Sequence, residues 1–294
     1  MHLTHELLRE AQGTELHRDP ERGALAHCVS ARGRGTHVHA PQHMLTLWLC
    51  LRGRLEVEAV DGPFALAPRQ FLCLPGSGPA RGVARVQSGW LVLALPRATL
   101  AQLQHAGGRE LGAEPLLFPT VLPVTRELLR CVGQLRREGQ RQPGGTADLL
   151  LEAVLRAAVH AQAPTEAWVA GAPGRTLANR RRVVMRLLSA RNRILNQTLH
   201  DHDLETLAAT ARYSKSHFLR LFRLVFGSTP YDALLDARMD RARHLIDTSD
   251  ITIGEVAAHV GYESRHAFSR VYKKRFGITA THSRRIADGL ESAA

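Results

Sequence analysis

The sequence predicts an α+β protein of two domains, a small N-terminal β-barrel with covering helices and a C-terminal domain made only of helices. Three observations lead to this prediction. Short apolar runs separated by Gly and Pro fill the region from Ala24 to about Leu95, and helical periodicity begins after Pro96. Near the end, one helix-turn-helix pattern occurs twice. A chain of 294 residues with 44% hydrophobic content is long enough to bury two cores.

The N-terminal region begins with 23 polar, weakly patterned residues, which suggest an amphipathic helix or a loosely held arm. Seven candidate strands follow, with turn residues between them. These are Leu25–Ser30, Met44–Leu51, Arg54–Ala59, Pro63–Leu66, Gln70–Leu74, Gly82–Val86 and Trp90–Ala94. Short strands at this spacing are typical of a small β-sandwich or barrel.

Helices are predicted at Thr99–Ala106, Pro123–Glu138 and Thr146–Gln162, where leucine and valine recur on one stripe. Packing within the chain and a dimer seam explain these stripes equally well. The stretch 164–178 begins with a Gly-, Ala- and Pro-rich segment, so we interpret it as a linker. A further helix is expected from Asn179, a candidate N-cap, to Gln197.

The second helix-turn-helix is predicted at about residues 253–276. Apolar residues from Ile253 to Val260 follow the spacing of one helix face, Gly261 ends that helix, and Ser264 is a candidate N-cap for the next. The outer face of the next helix carries Arg265, His266, Ser269, Arg270, Lys273 and Lys274. These residues favour a basic recognition helix, and the alternative is a solvated basic face on an ordinary helical hairpin.

The first helix-turn-helix, at about residues 204–226, repeats the pattern fifty residues earlier, counted from Ser214 to Ser264. Both copies end in Phe-Gly, where glycine can adopt the left-handed conformation that closes a helix. Between the copies, a linker helix is expected at 229–247 with Pro230 in its first turn. A rod of roughly 26 Å can hold two recognition helices about one DNA turn, roughly 34 Å, apart.

Residues from about 179 to 286 resemble the DNA-binding domain of the AraC/XylS family of bacterial transcription regulators. The matching motifs include Leu204-x-x-Leu-Ala-x-x-Ala, Ser214-x-x-x-Phe-x-Arg-x-Phe and Ile253-x-Glu-Val-Ala-x-x-Val-Gly-Tyr. Near its end the chain departs from the family pattern, with Ala280 where a proline is usual. The resemblance implies a transcription activator whose partners are promoter DNA and RNA polymerase.

The same resemblance implies a role for each outer residue of the two recognition helices. The base-facing residues would be Ser216, Leu219, Arg220, Arg265, His266, Ser269 and Arg270. The phosphate-contacting residues would be Lys215, Arg223, Lys273 and Lys274.

The order Gly53…Pro68…Pro75-Gly76 resembles the cupin-type effector domain that often precedes this DNA-binding module, over about seventy residues. It implies a small-molecule effector and a homodimer formed through the helices at 123–138 and 146–162. The expected organisation is therefore a cupin-like effector-binding and dimerisation domain at 1–163, a linker at 164–178 and a DNA-binding domain at 179–294.

The imidazoles of His37 and His39 lie two apart on a strand and so point to one side, as at the start of a metal site in metal-binding cupins. The expected carboxylate and later histidine are missing, so we expect neither a metal nor a cofactor. Candidate effector-binding residues are His37, His39, His43, Trp48, Arg81 and Trp90. Simple core packing for the tryptophans and solvation for the polar residues are the alternatives.

Cys50 and Cys73 lie on strands expected to be neighbours, so they could form a redox switch. Free buried cysteine is the commoner outcome. The spacing of the four cysteines indicates neither a disulfide framework nor a zinc site.

Charge favours a polyanionic partner for the C-terminal part. The chain carries a formal +12, and from Arg175 onward 21 basic and 12 acidic residues give +9. No apolar stretch is long enough to span a bilayer, and the first residues lack the order of a signal peptide, so a cytoplasmic protein is expected.

We expect a regulator and no enzyme activity. A metal-dependent cupin enzyme fused to a DNA-binding domain and a ligand-independent architectural DNA-binding protein are the alternatives.

Overall fold

The structure is a computed structural model that describes residues 2–17, 25–60, 62–96, 117–140, 147–198 and 203–288. The chain divides into two compact units, unit 1 at Met1–Leu188 and unit 2 at Ser189–Ala294. The predicted helix Thr99–Ala106 lies outside the described residues. None of the helices in the described ranges is long and apolar enough to cross a membrane.

Unit 1 contains two β-sheets. The strands are β1 (His2–Leu8), β2 (Gly13–Glu15), β3 (Leu25–Arg32), β4 (His37–Ala40), β5 (Met44–Arg52), β6 (Leu55–Ala59), β7 (Gly62–Leu66), β8 (Gln70–Leu74), β9 (Ala80–Val83), β10 (Gly89–Pro96) and β11 (Val121–Pro123). The six-stranded sheet has the order β1-β3-β10-β5-β8-β11, and the five-stranded sheet has the order β2-β4-β9-β6-β7. The described strands form two sheets, and no closed barrel is found among them, so the cupin-like barrel stays a prediction.

The central strands of the six-stranded sheet are buried on both faces. On its inner face, Trp48 and Val92 share a buried cluster with Val57 of the five-stranded sheet. On its outer face, Leu49 and Leu91 belong to a second cluster that includes side chains of two helices. These helices are α1 (Arg126–Gln140) and α2 (Ala147–Ala161). Burial on both faces explains why β5 and β10 are almost continuously apolar.

The prediction of a helix or loose arm for the first 23 residues was wrong, because residues 2–8 and 13–15 form strands. β1 pairs in parallel with β3, and β2 pairs in parallel with β4. Each strand is an edge strand stabilised by hydrogen bonds to a partner that is distant in sequence, so the local pattern carries little signal.

Further helices follow α2. They are a 3₁₀ turn at Ala163–Thr165, α3 (Glu166–Gly171) and α4 (Leu177–Asn196), so part of the predicted linker is helical. The N-cap prediction for Asn179 was wrong, because its backbone N–H donates to the Thr176 hydroxyl at 3.2 Å, inside a helix that has already begun. The division into units falls within α4. The domain limits inferred from sequence remain predictions.

Unit 2 is helical throughout its described residues. Its elements after α4 are α5 (Leu204–Thr210), α6 (Lys215–Phe226), α7 (Pro230–Thr248), α8 (Ile253–His259), α9 (Arg265–Phe276) and α10 (Ala280–Ala287). Ala280 stands where the family pattern has a proline, and a helix still begins there. Thr279 caps α10, and Ala280 is buried. The Tyr272 hydroxyl donates to Ser283 at 3.0 Å and ties α10 to α9.

Candidate nucleic-acid interface

Helices α8 and α9 form the second helix-turn-helix. Thr252 and Glu255 make a capping box at the start of α8, and Ser264 caps α9 by accepting from the Ala267 backbone N–H at 3.4 Å. The turn is closed by a hydrogen bond from the Tyr262 backbone N–H to the Ala257 carbonyl at 3.0 Å. Gly261 in this turn has a φ of +81°, which glycine adopts without a steric penalty.

Helices α5 and α6 form the first helix-turn-helix with a turn of one residue fewer. The Tyr213 N–H donates to the Ala208 carbonyl at 2.9 Å, so Tyr213 occupies the place of Tyr262. Arg212 then matches Gly261 and keeps a positive φ of 58°. Ser214 lies at the N-cap of α6, but its side chain makes no capping hydrogen bond.

Aromatic residues on the inner faces of α6 and α9 fix which side of each helix points outward. In α6 the ring centroids of Phe218 and Phe222 are 5.5 Å apart, and those of Phe222 and Phe226 are 4.8 Å apart. Helix α9 repeats this row with Phe268, Tyr272 and Phe276, at 5.6 and 4.7 Å. Because these aromatic side chains face the interior, the opposite side of each recognition helix faces solvent.

The side chains predicted to contact DNA lie on that outer side. They are exposed in both helices, except that Ser269 is half-buried. They occupy equivalent places fifty residues apart: Lys215, Ser216, Leu219, Arg220 and Arg223 on α6, and Arg265, His266, Ser269, Arg270 and Lys273 on α9. Lys274 lies beside them at the end of α9 and is also exposed.

Ion pairs within the chain distinguish these basic residues. Lys215 Nζ lies 2.8 Å from Glu205 Oε2, and this hydrogen bond raises the pKa of Lys215. Arg275 Nε lies 2.9 Å from Asp236 Oδ1, so this guanidinium is already held by a carboxylate. The pKa of Asp232 is lowered first by its hydrogen bond to Thr229, and also by the charges of Arg223 and Lys274. One residue of each recognition helix is therefore near the start of α7.

Sequence reasoning missed one residue of this surface. Leu224 occupies the place on α6 that Lys274 occupies on α9, and its side chain is 56% exposed. The fifty-residue repeat was the signal that could have identified it. The two recognition helices therefore differ, because the first ends its outer row with an apolar group.

Of the N-terminal candidates, His37, His39 and Arg81 lie on the outer face of the five-stranded sheet. His39 pairs with Arg81 across β4 and β9, and the neighbouring row containing Val38 and Gly82 is buried. The His37 imidazole lies over Gly13, and its Nδ1 is 3.2 Å from the Gly35 carbonyl oxygen.

Trp48 and Trp90 lie on the other side, between the two sheets. Both are fully buried with ring centroids 6.0 Å apart, and their indole N–H groups donate to Thr46 and Thr36 at 2.8 and 3.0 Å. A Cβ at Gly82 would lie 2.2 Å from the Trp48 ring, so the indole packs directly on the backbone of β9.

His43 lies in the loop before β5, with a φ of 71° and its backbone N–H donating to the Gly76 carbonyl at 3.0 Å. The structure therefore distributes the six candidates over an outer face, an interior and a loop. Within the described ranges, no group of three or more His, Cys, Asp or Glu side chains could hold a metal ion.

Cys50 and Cys73 lie on the neighbouring strands β5 and β8, as predicted, but their side chains point to opposite faces of the sheet. Cys50 is opposite Gln70, whereas Cys73 is opposite Leu47. Cys50 belongs to the inner cluster and Cys73 to the outer one, which excludes a direct disulfide between them. Burial raises the pKa of Cys50 to about 11 and also raises that of Cys73, so both thiols stay protonated.

Comparisons with known proteins agree on the C-terminal region. Residues 207–286 match the model of the helix-turn-helix domain family. The MmsAB operon regulatory protein of Pseudomonas aeruginosa is 33% identical over 88 residues, which cover 30% of this chain and 29% of that protein. The HTH-type transcriptional regulator ExsA of the same organism is 26% identical over 249 residues, which cover 82% and 86%.

Among solved structures, the DNA-binding domain of AdpA in complex with a target DNA is 31% identical and covers 35% of this chain and 93% of that chain, with a TM-score of 0.33. The first three curated relatives are matched over only 29% to 52% of their own length. The family match confirms the helix-turn-helix prediction for residues 207–286.

Proposed function

We propose that this chain, whose C-terminal part is a helix-turn-helix region of the AraC type, is a sequence-specific DNA-binding transcriptional regulator. The observation that carries the proposal is the repeated outer face of α6 and α9. Each face presents an arginine in the middle of the helix, at Arg220 and Arg270, with further cations one turn later. Recognition helices in major grooves use such arginines to contact guanine edges.

The two kinds of cation have separate roles in this proposal. Arg220 and Arg270 contact base edges, and Lys273 and Lys274 neutralise phosphates. Arg223 contributes to the phosphate contacts of the first unit. Lys215 does so only after it leaves Glu205, which an anionic phosphate favours.

Mutations test the division of roles. Arg270→Ala should cost about 1–3 kcal/mol of binding to the preferred sequence and relax base preference. Lys274→Ala should weaken binding to every sequence alike and reduce the salt slope by about one. Both quantities come from titrations of the full chain against a selected site and a scrambled duplex at several salt concentrations.

Arg275→Ala is the matched control, because Arg275 is an exposed cation of the same helix that Asp236 already holds. This variant should retain both affinity and sequence preference. Equal behaviour of Arg270→Ala and Lys274→Ala would overturn the assignment of roles. Equal binding of the selected and scrambled duplexes by the unchanged chain would overturn the proposed function.

We further propose that the regulator is a homodimeric activator that contacts RNA polymerase and responds to a small organic effector bound by unit 1. A dimer links two DNA-binding domains, so that once one domain is bound the second binds intramolecularly and the overall affinity rises. This gain in affinity favours a dimer. Support for an effector comes from the resemblance of the N-terminal domain to sensory modules and from the presence of a two-sheet unit that DNA binding alone does not require.

A further inference from the structure

A cleft in unit 1 lies outside the space between the two sheets. It is bounded by the outer face of the six-stranded sheet and by helix α1, and we name it the α1 cleft. Its volume is about 220 Å³, with walls that include Leu49, Leu91, Leu129 and Val132. A second depression of about 530 Å³ shares Arg32, Leu51 and Gly89 with it and extends to Arg52.

Three arginines lie at the α1 cleft or beside it, and none of them has a counterion among the described residues. Arg32 and Arg136 line it, and Arg52 lines the adjoining depression. In the described part of the chain, none of these three guanidinium groups makes an ion pair or a side-chain hydrogen bond. Arg136 is half-buried, and a half-buried unpaired charge is costly unless an anion or solvent compensates it.

The positive charge of Arg136 affects the pKa values of two neighbouring side chains, His5 and Cys28. Desolvation is the first cause that lowers the pKa of His5, and the positive charge of Arg136 is the second. The same charge opposes the larger effect of burial on the pKa of Cys28. The lowered pKa disfavours a second positive charge on His5 near Arg136.

Two glycines, Gly133 and Gly89, line the α1 cleft. Gly133 lies in the middle of α1, where glycine costs roughly 1 kcal/mol relative to alanine. A Cβ at this position would meet only Arg137 Nη1, at 3.8 Å, so packing does not require glycine. Gly89 lies at a register shift in the pairing of β10 with β5, and such irregularities often adjoin binding sites.

We propose that the α1 cleft binds a small amphipathic carboxylate, with the apolar body against Leu91 and Val132 and the carboxylate at Arg32 and Arg136. Arginine suits this role because its planar fork matches the two carboxylate oxygens. The cleft is smaller than the roughly 300–1,000 Å³ of drug-sized ligand pockets, which favours a compact ligand. Binding of this carboxylate does not depend on the DNA-binding function. Calling the carboxylate an effector does rest on the proposed regulatory function.

Calorimetric titration of the full chain with octanoate tests the proposal, and octanol is the uncharged probe of equal length. Octanoate should bind at one site at least tenfold more tightly than octanol. Arg136→Gln should weaken octanoate binding at least tenfold and leave octanol binding unchanged. The matched control is Arg130→Gln, which removes an exposed cation of the same helix that does not line the cleft and should leave both affinities unchanged.

A second variant separates loss of binding from loss of fold. Gly133→Leu places a side chain in the cleft and replaces glycine by a strong helix former, so it should abolish octanoate binding with an unchanged or higher melting temperature. Absence of octanoate binding to the unchanged chain, equal affinity for the two probes, or full octanoate affinity in either Arg136→Gln or Gly133→Leu would overturn the proposal. None of these measurements involves DNA, so they are independent of the proposed regulatory function.

Discussion

The turn residues Arg212 and Gly261 show how one backbone requirement is met by two different amino acids. Both have a positive φ, at 58° and 81°. For an L-residue other than glycine this conformation costs roughly 1–2 kcal/mol. The first turn accepts that cost, whereas the second does not, because a Cβ at Gly261 would also approach the Arg238 guanidinium to 3.2 Å.

Gly261→Ala should therefore lower the free energy of unfolding by about 1–2 kcal/mol. Gly254→Ala is the control, since glycine there lies inside α8 and a Cβ would meet only the Thr252 hydroxyl, at 3.8 Å. That variant should be neutral or stabilising by about 0.5 kcal/mol. Urea denaturation of both variants measures the difference, and a Gly261→Ala protein as stable as Gly254→Ala would contradict this explanation.

The histidine pair shows how far single residues could be predicted. The period of two placed His37 and His39 on one face of a strand, as observed. The intervening Val38 and Ala40 are buried, so the apolar residues of the same alternation indicated that the histidines face outward. The sequence nevertheless offered His37 and His39 as candidate effector-binding residues, whereas the missing carboxylate and later histidine already argued against a metal site.

At the scale of elements, a side-chain cap marks the start of α8. The capping box of α8 joins the Thr252 N–H to Glu255 Oε2 at 2.7 Å and the Glu255 N–H to the Thr252 hydroxyl at 3.2 Å. The hydrogen bond from the Thr252 N–H is the first cause that lowers the pKa of Glu255. This contribution to stability is present above the unfolded pKa of Glu255 and is lost as pH falls through the folded pKa.

Thr252→Ala should reduce the free energy of unfolding by about 1 kcal/mol at pH 7. Ser214→Ala is the control, because Ser214 occupies an N-cap position without a capping hydrogen bond and should cost clearly less. Thermal unfolding at pH 7 compares the two variants. If both lose equal stability, the side-chain hydrogen bond of Thr252 is not the source of the effect.

Elements whose signals are local were predicted, and elements that depend on distant partners were not. Helices α5 to α9 lie within about two residues of their predicted positions, because caps and apolar stripes mark them within a few residues. β1, β2 and β11 were missed: β2 and β11 are only three residues long, too short to show an alternating pattern, and β1 was interpreted as part of a helix or arm. Two sheets and a closed barrel share the same alternation, so the sequence could not distinguish them.

At the scale of the whole molecule, the proposed dimer needs a surface that the chain does not already bury. Leu128, Val132 and Leu135 of the predicted seam belong to the core of unit 1. Leu149 at the start of α2 is 67% exposed and so is available for a partner. The dimer proposal therefore assigns the seam to the exposed side of this helix, around Leu149.

The full chain should sediment as a dimer at micromolar concentration, and Leu149→Glu should shift it toward monomer, because a charge in an apolar seam is poorly compensated. Val86→Glu is the control, since Val86 is also exposed, at 50%, but is not on α2. Analytical ultracentrifugation of the three proteins provides the test. A chain that remains monomeric contradicts the dimer, and equal loss of dimer in both variants contradicts the assigned seam.

The buried pair Trp48 and Trp90 has an optical consequence. All three tryptophans, these two and Trp168, belong to unit 1, whereas all four tyrosines belong to unit 2. Tryptophan dominates emission excited at long ultraviolet wavelengths, and unit 2 has none. Indole fluorescence therefore follows unit 1, tyrosine side chains provide the ultraviolet signal of unit 2, and the two units can be followed separately in one unlabelled chain.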